Sequence, residues 1–559
     1  MRRVSLVAGL SAALIGMSAL ALVNATSSAA TGLTWASTAT RAETLVNATN
    51  LGSVATATPL DVAVALNLRN RSGLDHVIAS RRVLTPDEFK AAYAPTTSQA
   101  QAVVSYLAGH GFTNVNVASN RLLVTASGTA AQASSAFNTP IDSYRQNGAT
   151  VFANTKAAQV PVALASTVGA VLGLTNAGVM RVHPARVAAT NTTSTNPPSS
   201  CVVTGVGYPC TYNPAGFWSA YDATGAPTGA STTVAIFAEG DVTGVVTDLR
   251  TEETANGLSK VPVTIVPTGP ASSDTSGLDE WDMDTQYSTG MAQTVSSLYI
   301  YDATSLSDTD ITSEFNRFAA DDLAQAGSAS FGECEFQATL DGSMLADDQA
   351  FAEAAAQGQT VFASAGDTGG FCPVGAAANG VPAGAPDVNY PASSPGVVSV
   401  GGTTLVTNAD GSYDQEIAWL AGGGGPSLFE APPAWQAGVA PPSGTVCTTL
   451  GVACGRAVPD IAMDADPNSG ANVYVNGTPE GVGGTSLSSP LALGVWARLE
   501  SAHGDGLGFA GPALYRANGA AAYHDIVLGD TGPYPALPGD DFATGLGTVD
   551  VGQAVTLVH

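Results

Sequence analysis

Beyond residue 230 the chain alternates short apolar runs with stretches of helical periodicity. The apolar runs are residues 234–238, 298–301, 329–331, 360–364 and 397–400. Residues 314–326 and 346–356 between them have the composition of helices. This alternation predicts an α/β domain with a mostly parallel sheet covered by helices on both faces, with active residues at strand ends and in adjoining loops.

The first 186 residues follow a different pattern. Thr85 and Glu88 bracket Pro86 as a capping box, which predicts a helix from Pro86 towards Tyr93. Further patterns predict a helix over residues 99–108, strands near Val115 and over 122–125, a short helix over 130–137 and a hairpin turning at Asn147 and Gly148. We therefore expect a small α/β, ferredoxin-like domain, in which no pattern points to catalysis.

Charge separates these two parts. Residues 31–200 contain eleven bases and six acids, a balance of +5, whereas residues 201–559 contain six bases and forty acids, a balance of −34. The two parts should attract each other. Residues 187–200 are rich in Thr, Ser, Asn and Pro without an apolar period, which is typical of an exposed, cleavable linker. We place one domain at residues 31–186 and the other at residues 201–559.

The N-terminus predicts export. Arg2 and Arg3 precede an uncharged stretch over residues 4–23, and small residues at 25–30 offer cleavage points, so residues 1–30 are interpreted as a signal peptide. The stretch is long enough to span a bilayer, but serines and glycines dilute it, which makes a retained anchor the weaker alternative. No other segment has the length and apolarity of a membrane span, so we expect no membrane association after signal removal.

The overall charge disfavours some partners. The 559 residues carry a formal net charge of −27, with a sequence pI near 4.3. Nucleic acid and anionic membranes are therefore poor partners, and we expect neither to bind. Near pH 4 many carboxylates gain a proton and the charge approaches zero, so we expect an acidic working environment.

Six cysteines in an exported chain predict disulfides. Cys201 and Cys210 are close in sequence, as are Cys447 and Cys454, and neither pair has histidines at the spacing of a zinc site. Of the fifteen possible pairings we favour the local one, which leaves Cys334 with Cys372.

The strongest chemical signal is Gly-Thr-Ser-Leu-Ser-Ser-Pro at residues 484–490, followed by helical periodicity over 491–499. A serine behind glycines at a helix start lets a substrate backbone approach, and its N–H can face a developing oxyanion. This setting favours Ser486 as a nucleophile. The alternative is a serine-rich helix cap without chemical function.

The sequence favours a carboxyl group as the base for such a serine, since the remaining histidines lie either after Ser486 or in the N-terminal domain. No histidine lies between His183 and His503, so the order Asp, His, Ser of subtilisin-like enzymes is absent. Lys260, the sole lysine of the acidic domain, has no Ser-x-x-Lys pattern around it, which argues against a Ser–Lys pair.

Glu280 and Asp284 are the candidate carboxyl groups. Four residues apart on a predicted helix, they project from one face. Two carboxyl groups that close cannot both ionise easily, so the pair shares a proton. Asp282 is the next candidate, and a solvated acidic helix start is the alternative without function.

Five motifs occur here in the order found in sedolisins, the kumamolisin and tripeptidyl-peptidase family of serine carboxyl peptidases. They are Glu280 and Asp284 in Glu-x-x-x-Asp, Ser-Ala-Gly-Asp-Thr-Gly at 364–369, Tyr-Pro-Ala-Ser-Ser-Pro at 390–395 leading to Val-Gly-Gly-Thr at 400–403, Val-Pro-Asp at 458–460, and Gly-Thr-Ser at 484–486. The chain resembles this family from about residue 50 to the C-terminus.

The resemblance implies a subtilisin-like fold and a secreted, acid-active peptidase that removes its own inhibitory N-terminal domain. It implies that Ser486 attacks the scissile carbonyl, that Glu280 accepts the serine proton, that Asp284 helps to hold it, and that Asp367 stabilises the oxyanion. Asp367 must then be protonated, which suits low pH. We expect a monomer that acts on peptides and proteins. The family often has Trp where this chain has Phe331.

The resemblance also implies a structural calcium site near the C-terminus. Asp525 and Asp541 would supply side-chain oxygens, and Ile526, Leu537 and Gly539 backbone carbonyls, which are the hard ligands that calcium prefers. The chain departs from the family at Leu537 and Asp540, where Gly and Trp are usual. An Asp-rich turn without metal is the alternative.

Two other functions compete with this one. Asp-Thr-Gly occurs at residues 367–369 and 530–532, as in a pepsin-like aspartic peptidase, but those enzymes are all-β with apolar residues directly before each Asp. A non-catalytic secreted binding protein on the same fold would not need Ser486, Glu280, Asp284 and Asp367 together.

Overall fold

A sheet of ten strands lies at the centre of the C-terminal domain in the computed structural model, which describes residues 34–42, 45, 47–182, 185–186, 211–371, 386–438 and 455–559. The predicted signal peptide, the linker at 187–200 and five of the six cysteines lie outside the described residues. Cys334 is disulfide-bonded, but the predicted pairing stays a prediction. Among the described residues, no helix combines the length and apolarity needed to cross a membrane.

The N-terminal domain forms around a four-stranded antiparallel sheet. Its strands are β1 (Trp35–Ser37), β2 (Thr49–Ser53), β3 (Pro59–Leu66), β4 (Thr113–Val117), β5 (Leu123–Thr129), β6 (Ile141–Gln146), β7 (Ala149–Asn154), β8 (Gln159–Pro161), β9 (Val168–Leu172) and β10 (Ala185–Arg186). Its helices are α1 (Arg71–Ser80), α2 (Pro86–Ala92), α3 (Thr97–Gly109), α4 (Ala130–Ala136) and a 3-10 turn at Val162–Leu164.

Strand order confirms the ferredoxin-like expectation. The order β4-β5-β3-β9 is that of a β-α-β-β-α-β fold, with α3 and α4 packed on β5. The predicted capping box is present, since the amide of Glu88 donates to Oγ1 of Thr85 at 3.2 Å and the amide of Thr85 donates to Oε2 of Glu88 at 2.9 Å. The hairpin β6–β7 turns at Asn147 and Gly148, both with positive φ, as predicted.

The C-terminal domain alternates strands and helices. Its strands are β11 (Gly229–Glu239), β12 (Val263–Pro267), β13 (Val295–Ala303), β14 (Ala326–Ala329), β15 (Glu333–Cys334), β16 (Thr360–Ser364), β17 (Asn389–Tyr390), β18 (Val397–Thr407), β19 (Tyr413–Ala418), β20 (Gly425–Pro426), β21 (Ala457–Val458), β22 (Ile461–Asp464), β23 (Ala471–Val475), β24 (Thr478–Gly483), β25 (Tyr523–His524) and β26 (Thr548–Val549). Its helices are α5 (Pro214–Ala220), α6 (Thr243–Asn256), α7 (Leu278–Ala292), α8 (Asp308–Asp321), α9 (Glu335–Asp341), α10 (Ser343–Ala356), α11 (Thr485–Ala502), α12 (Ala510–Arg516), α13 (Val551–Leu557) and a 3-10 turn at Ala434–Gln436.

The main sheet has the order β12-β13-β11-β14-β16-β18-β22-β26-β25, with β19 beside β18. All neighbours from β12 to β26 are parallel, and β19 and β25 are antiparallel. Every residue of β16 is buried, and because alternate side chains point to opposite faces, both faces of the sheet are covered. This confirms the predicted subtilisin-like α/β architecture.

Two predicted elements are displaced along the chain. The helix expected at 314–326 is α8, which ends where Asp322 adopts a left-handed conformation with φ 50°. The strand expected at 329–331 is β14, which ends at Ala329. The chain therefore leaves the sheet one residue before Ser330, which places Ser330 at the carboxyl end of the strand.

The N-terminal domain packs on α8 and α10. The amide of Leu84 donates to the carbonyl of Ala356 at 2.8 Å, and the amide of Leu68 donates to the side chain of Gln349 at 2.8 Å. Asn120 is buried and donates from Nδ2 to Asn316 at 2.8 Å and to Glu353 at 2.6 Å. The two domains are thus joined by specific polar contacts.

Candidate active site

Helix α7 carries the two candidate acid–base residues. Glu280 and Asp284 stand one turn apart, and neither side chain is exposed. The indole of Trp281 donates to the carbonyl of Glu239 at 2.9 Å and lies edge-on to Phe331 at 6.1 Å. The start of α7 is therefore fixed to the end of β11. The helix predicted here is present, with Glu280 and Asp284 on the same face.

Ser486 lies in the first turn of α11. The N-cap of this helix is Gly484, with φ 114°, a conformation that residues with a Cβ rarely adopt. No side chain caps the helix, so the Ser486 hydroxyl has no capping function. Ser486 is 3% exposed, and its hydroxyl donates to the carbonyl of Ser330 at 3.3 Å.

Ser330 joins the two helices. Its hydroxyl donates to Oδ1 of Asp284 at 2.6 Å and lies 3.1 Å from the carbonyl oxygen of Ser486. That carbonyl needs a donor from outside the helix because Pro490, four residues later, has no N–H. The sequence reasoning missed Ser330, although the proline four residues after Ser486 was a signal for such a donor.

The environment of α7 favours neutral carboxyl groups. Burial, and then the neighbouring Asp284, raise the pKa of Glu280 well above its usual value, while the nearby Ser486 hydroxyl acts in the opposite direction. Among the described residues, no group other than the Ser486 hydroxyl is placed to donate to the carboxyl oxygens of Glu280. Burial likewise raises the pKa of Asp284, against the hydrogen bond from Ser330. The two groups are thus arranged to hold a proton between them.

Asp367 follows β16 and is held by the residue beside Ser486. Its Oδ1 accepts from the backbone amide of Thr485 at 2.8 Å and from the Thr485 hydroxyl at 2.7 Å. Its Oδ2 has no partner among the described residues. Burial raises the pKa of Asp367 to about 6, although both Thr485 donors lower it. In the neutral form of Asp367, Oδ2 carries the proton and can donate it to an acceptor other than Thr485.

Asp282, the alternative base, faces away from this cluster. Its carboxyl is within hydrogen-bonding reach of Asp248 on α6, and Ser486 is not among the groups that act on it. Among the described residues, five side chains of the site are brought together from four segments of the chain: Glu280, Asp284, Ser330, Asp367 and Ser486.

The chain's own N-terminal segment lies beside Ser486. The backbone of Arg181 pairs with Gly332 through N–H···O bonds of 2.9 and 3.1 Å, two residues after Ser330. Strand β10 pairs antiparallel with β24, with Ala185 opposite Gly483, three residues before Ser486. This is how an extended peptide is bound by strand addition.

The C-terminal acidic loop contains the five predicted calcium ligands. Both oxygens of Asp525 accept from the amide of Gly539 at 3.1 Å, and Oδ2 of Asp541 accepts from the amide of Leu537 at 2.6 Å. Asp540 beside them is buried, with no donor to either oxygen among the described residues. Carboxylate oxygens are the ligand type that a hard cation takes. In this structure those of Asp541 also accept the amides of Ala543 and Thr544 at 2.8 Å.

The sequence did not predict a second acidic cluster that the structure contains. Asp308, Glu333 and Asp341 come from three separate segments, and their oxygens lie within 4.8 Å of one another. Burial and the neighbouring carboxyls raise the pKa of Asp308 well above its usual value. His524, next to Asp525 in the C-terminal acidic loop, stacks on Tyr413 with ring centroids 3.7 Å apart, which is a packing role.

The pepsin-like alternative is wrong. The fold is α/β rather than all-β, and the two Asp-Thr-Gly segments have different environments. Asp530 accepts from the amide of Gly532 at 2.9 Å in its own exposed turn, whereas Asp367 is held by Thr485.

Comparisons with known proteins identify the family. Residues 47–177 match the family described as pro-kumamolisin, activation domain, and residues 268–516 match the subtilase family. Sedolisin of Pseudomonas sp. (strain 101) is 38% identical over 526 residues, covering 88% of this chain and 86% of that protein. Xanthomonalisin of Xanthomonas sp. (strain T-22) is 36% identical over 558 residues, covering 89% of this chain and 65% of that protein.

A solved structure is also similar. Pseudomonas sedolisin, a serine-carboxyl proteinase complexed with two molecules of pseudo-iodotyrostatin, is 37% identical, with a TM-score of 0.57 and coverage of 62% of this chain and 98% of that one. The sequence similarity to sedolisin over most of the chain and the matching activation domain together identify the family. The chain belongs to the sedolisin family of serine-type peptidases and includes a pro-kumamolisin activation domain.

Proposed function

We propose that this chain is the precursor of a secreted, acid-active serine carboxyl peptidase that hydrolyses peptide bonds with Ser486 as nucleophile. The observation that carries the proposal is the buried cluster of Ser486, Glu280, Asp284 and Asp367, assembled without a histidine or lysine among the described residues around it. Each group is placed for one part of acyl transfer.

In the first step Ser486 Oγ attacks the carbonyl carbon, and its proton passes to Glu280. A rotation of the Ser486 hydroxyl away from the carbonyl of Ser330 directs it to Glu280, whose oxygens have no other donor among the described residues. The C–N bond then breaks as Glu280 returns the proton to the leaving amine. Water hydrolyses the acyl-enzyme by the same steps in reverse order.

Asp284 and Asp367 stabilise the charges that develop. Asp284 shares the proton of Glu280, so the pair carries a single negative charge in the resting state. The Oδ2 proton of Asp367 and the backbone N–H of Ser486, one of the first-turn amides that a helix leaves free, donate to the oxyanion. Because Asp367 needs its proton for this role, the chemistry belongs to acidic pH.

The N-terminal domain acts as an intramolecular inhibitor, in line with the matched activation domain. Its segments at Arg181 and at Ala185 occupy the backbone partners that an extended substrate would use, Gly332 and Gly483. Cleavage of the chain in this region would free the cleft.

Two further features belong to the same proposal. Calcium, when bound, would stabilise the C-terminal loop through the side chains of Asp525 and Asp541 and the carbonyls of Ile526, Leu537 and Gly539. Export by the N-terminal 30 residues would bring the enzyme to an environment in which its six cysteines can form disulfides.

The test is the Ser486→Ala precursor, which should remain full length apart from its signal peptide and should not hydrolyse a denatured protein at pH 3 to 4. Glu280→Gln and Asp284→Asn should each lower kcat by several orders of magnitude, because both act in one proton-transfer unit. Maturation of Ser486→Ala in a protease-free preparation would overturn the assignment of the nucleophile.

A further inference from the structure

Helix α7 carries a second pair of buried polar residues on the face opposite to Glu280 and Asp284. Asp282 and Gln286 are displaced from that pair by two positions, which is a rotation of about 200° around the helix. Neither side chain is exposed. One helix therefore presents one polar pair to Ser486 and another to a different part of the molecule.

That other part is the hairpin of β23 and β24. The side-chain amide of Gln286 donates to the carbonyl of Tyr474 at 2.8 Å, and the amide of Tyr474 donates back to Gln286 at 2.8 Å. The middle of β23 is thus fixed to α7 by two hydrogen bonds. Strand β24 leads directly to Ser486 and pairs with the chain's own β10.

Asp248 on α6 holds the turn of the hairpin. Its Oδ2 accepts from the amide of Asn476 at 2.7 Å, and its Oδ1 accepts from the amide of Gly477 at 2.7 Å. Both residues have positive φ, as expected for a two-residue hairpin turn. Both oxygens of Asp248 therefore act as acceptors for the turn.

Asp282 lies within hydrogen-bonding reach of Asp248. No N–H or O–H group of the described residues donates to either oxygen of Asp282. Two buried carboxyl groups in contact need a proton between them, and Asp282 is the one without donors. Asp282 is therefore the protonated partner, and it donates to Asp248.

We propose that Asp282 is a positioning residue for substrate binding. As a neutral acid it donates a hydrogen bond to Asp248, and Asp248 holds the Asn476–Gly477 turn. The turn in turn positions β24, the strand with which a substrate backbone pairs. This inference rests on the proposed function, since it takes β24 as the substrate-binding strand. It gives α7 two tasks, proton transfer on one face and orientation of the substrate strand on the other.

The link depends on pH. The charged groups that act on Asp282 are Asp248 on α6 and Asp279 on α7, both acidic, while Tyr474 and Glu480 are the titratable side chains of the hairpin. Burial, and then Asp248, raise the pKa of Asp282 to about 9. The hydrogen bond is therefore present at acidic and neutral pH and is lost as the pH rises through about 9.

The first experiment measures KM and kcat of the mature enzyme on a peptide substrate at acidic pH. Asp282→Ala should raise KM by about 10-fold, the size expected for the loss of one buried hydrogen bond, with kcat within about threefold of the wild type. Asp282→Asn keeps an N–H donor and should restore KM. Glu252→Gln is the matched control, because Glu252 is a buried acid one turn along α6 that bonds Asn256 rather than the hairpin.

The second experiment measures amide hydrogen-exchange protection of residues 471–483 in the full-length Ser486→Ala precursor at pH 7 and pH 10. The hairpin should lose protection at pH 10 when Asp282 is present and keep it in Asp282→Asn. Glu252→Gln should behave as the parent chain. Equal loss of protection in the parent precursor and in Asp282→Asn would overturn the proposal, as would an unchanged KM in Asp282→Ala.

These outcomes are separable from those of the proposed function. Exchange protection is measured without catalysis, so it reports on the hairpin even if Ser486 is not the nucleophile. If Asp282→Ala does not fold, the comparison of the parent precursor with Asp282→Asn still decides the question.

Discussion

The hydroxyl of Ser330 lies 2.6 Å from Oδ1 of Asp284. The same hydroxyl is 3.1 Å from the carbonyl oxygen of Ser486, and the carbonyl of Ser330 accepts the Ser486 hydroxyl. A single loop residue thus touches both the candidate nucleophile and the outer member of the carboxyl pair.

Removing this contact should weaken catalysis. Ser330→Ala takes a donor from Asp284, and because such hydrogen bonds contribute about 1.5–3 kcal/mol, kcat should fall about 10- to 100-fold. Ser328→Ala is the matched control, since Ser328 is buried two residues earlier and bonds Ser489 instead. Equal kcat values for both variants would show that Ser330 does not support the pair.

The pH profile should report on Asp367. Its pKa is raised to about 6 by burial, so the proton it donates is present at lower pH and is lost as the pH rises through about 6. We expect kcat/KM to fall above pH 6 in the wild type. Asp367→Asn keeps a neutral donor, so the activity of this variant should decline only at higher pH. An identical decline in the wild type and in Asp367→Asn would mean that another group causes the loss of activity above pH 6.

Self-processing should begin between Arg181 and Ala185. The backbones of these two residues pair with Gly332 and Gly483, which lie two residues after Ser330 and three residues before Ser486, so we expect the first cut in the segment that they bracket. N-terminal sequencing and mass spectrometry of the earliest products after acidification provide the measurement. A first cut within residues 187–200 would contradict the substrate-like pairing.

The precursor should lose stability as the pH rises through about 8. Burial raises the pKa of Glu353 from its usual 4.5 to about 8, against the hydrogen bond from Asn120. A raised pKa stabilises the folded chain below the usual value, and this contribution is lost above the folded one. The melting temperature of Ser486→Ala should fall between pH 6 and pH 9, and less so with Glu353→Gln. Asp414→Asn, at an exposed carboxyl, should leave the profile unchanged.

Calcium should raise the melting temperature of the mature enzyme by binding the folded state alone. Asp525→Ala should abolish that rise, because it removes one of the two carboxylates on the loop. Asp530→Ala, in a neighbouring exposed turn, should retain it. If neither calcium nor a chelator changes the melting temperature of the wild type, the loop is a turn without a calcium site.

The sequence by itself determined the architecture and the local placement of part of the candidate site. Apolar runs separated by helical stretches predicted the parallel sheet, because a strand covered on both faces, such as β16, must be apolar throughout. Local spacing was enough to put Glu280 and Asp284 on one face of α7, since a helix repeats every 3.6 residues. The capping box at Thr85 and Glu88 is likewise a local signal, and the helix begins where it predicts.

Only the tertiary structure decided which distant groups meet. Ser330 contacts Asp284 and Ser486 across separations of 46 and 156 residues, and no local pattern encodes such a contact. The orientation of Asp282 towards Asp248 depends on how α6 packs on α7, and the pairing of β10 with β24 depends on how the two domains associate. The pKa of each of these carboxyl groups follows from its burial. Burial depends on which residues the fold packs around the group, and the spacing of residues in the sequence does not determine that.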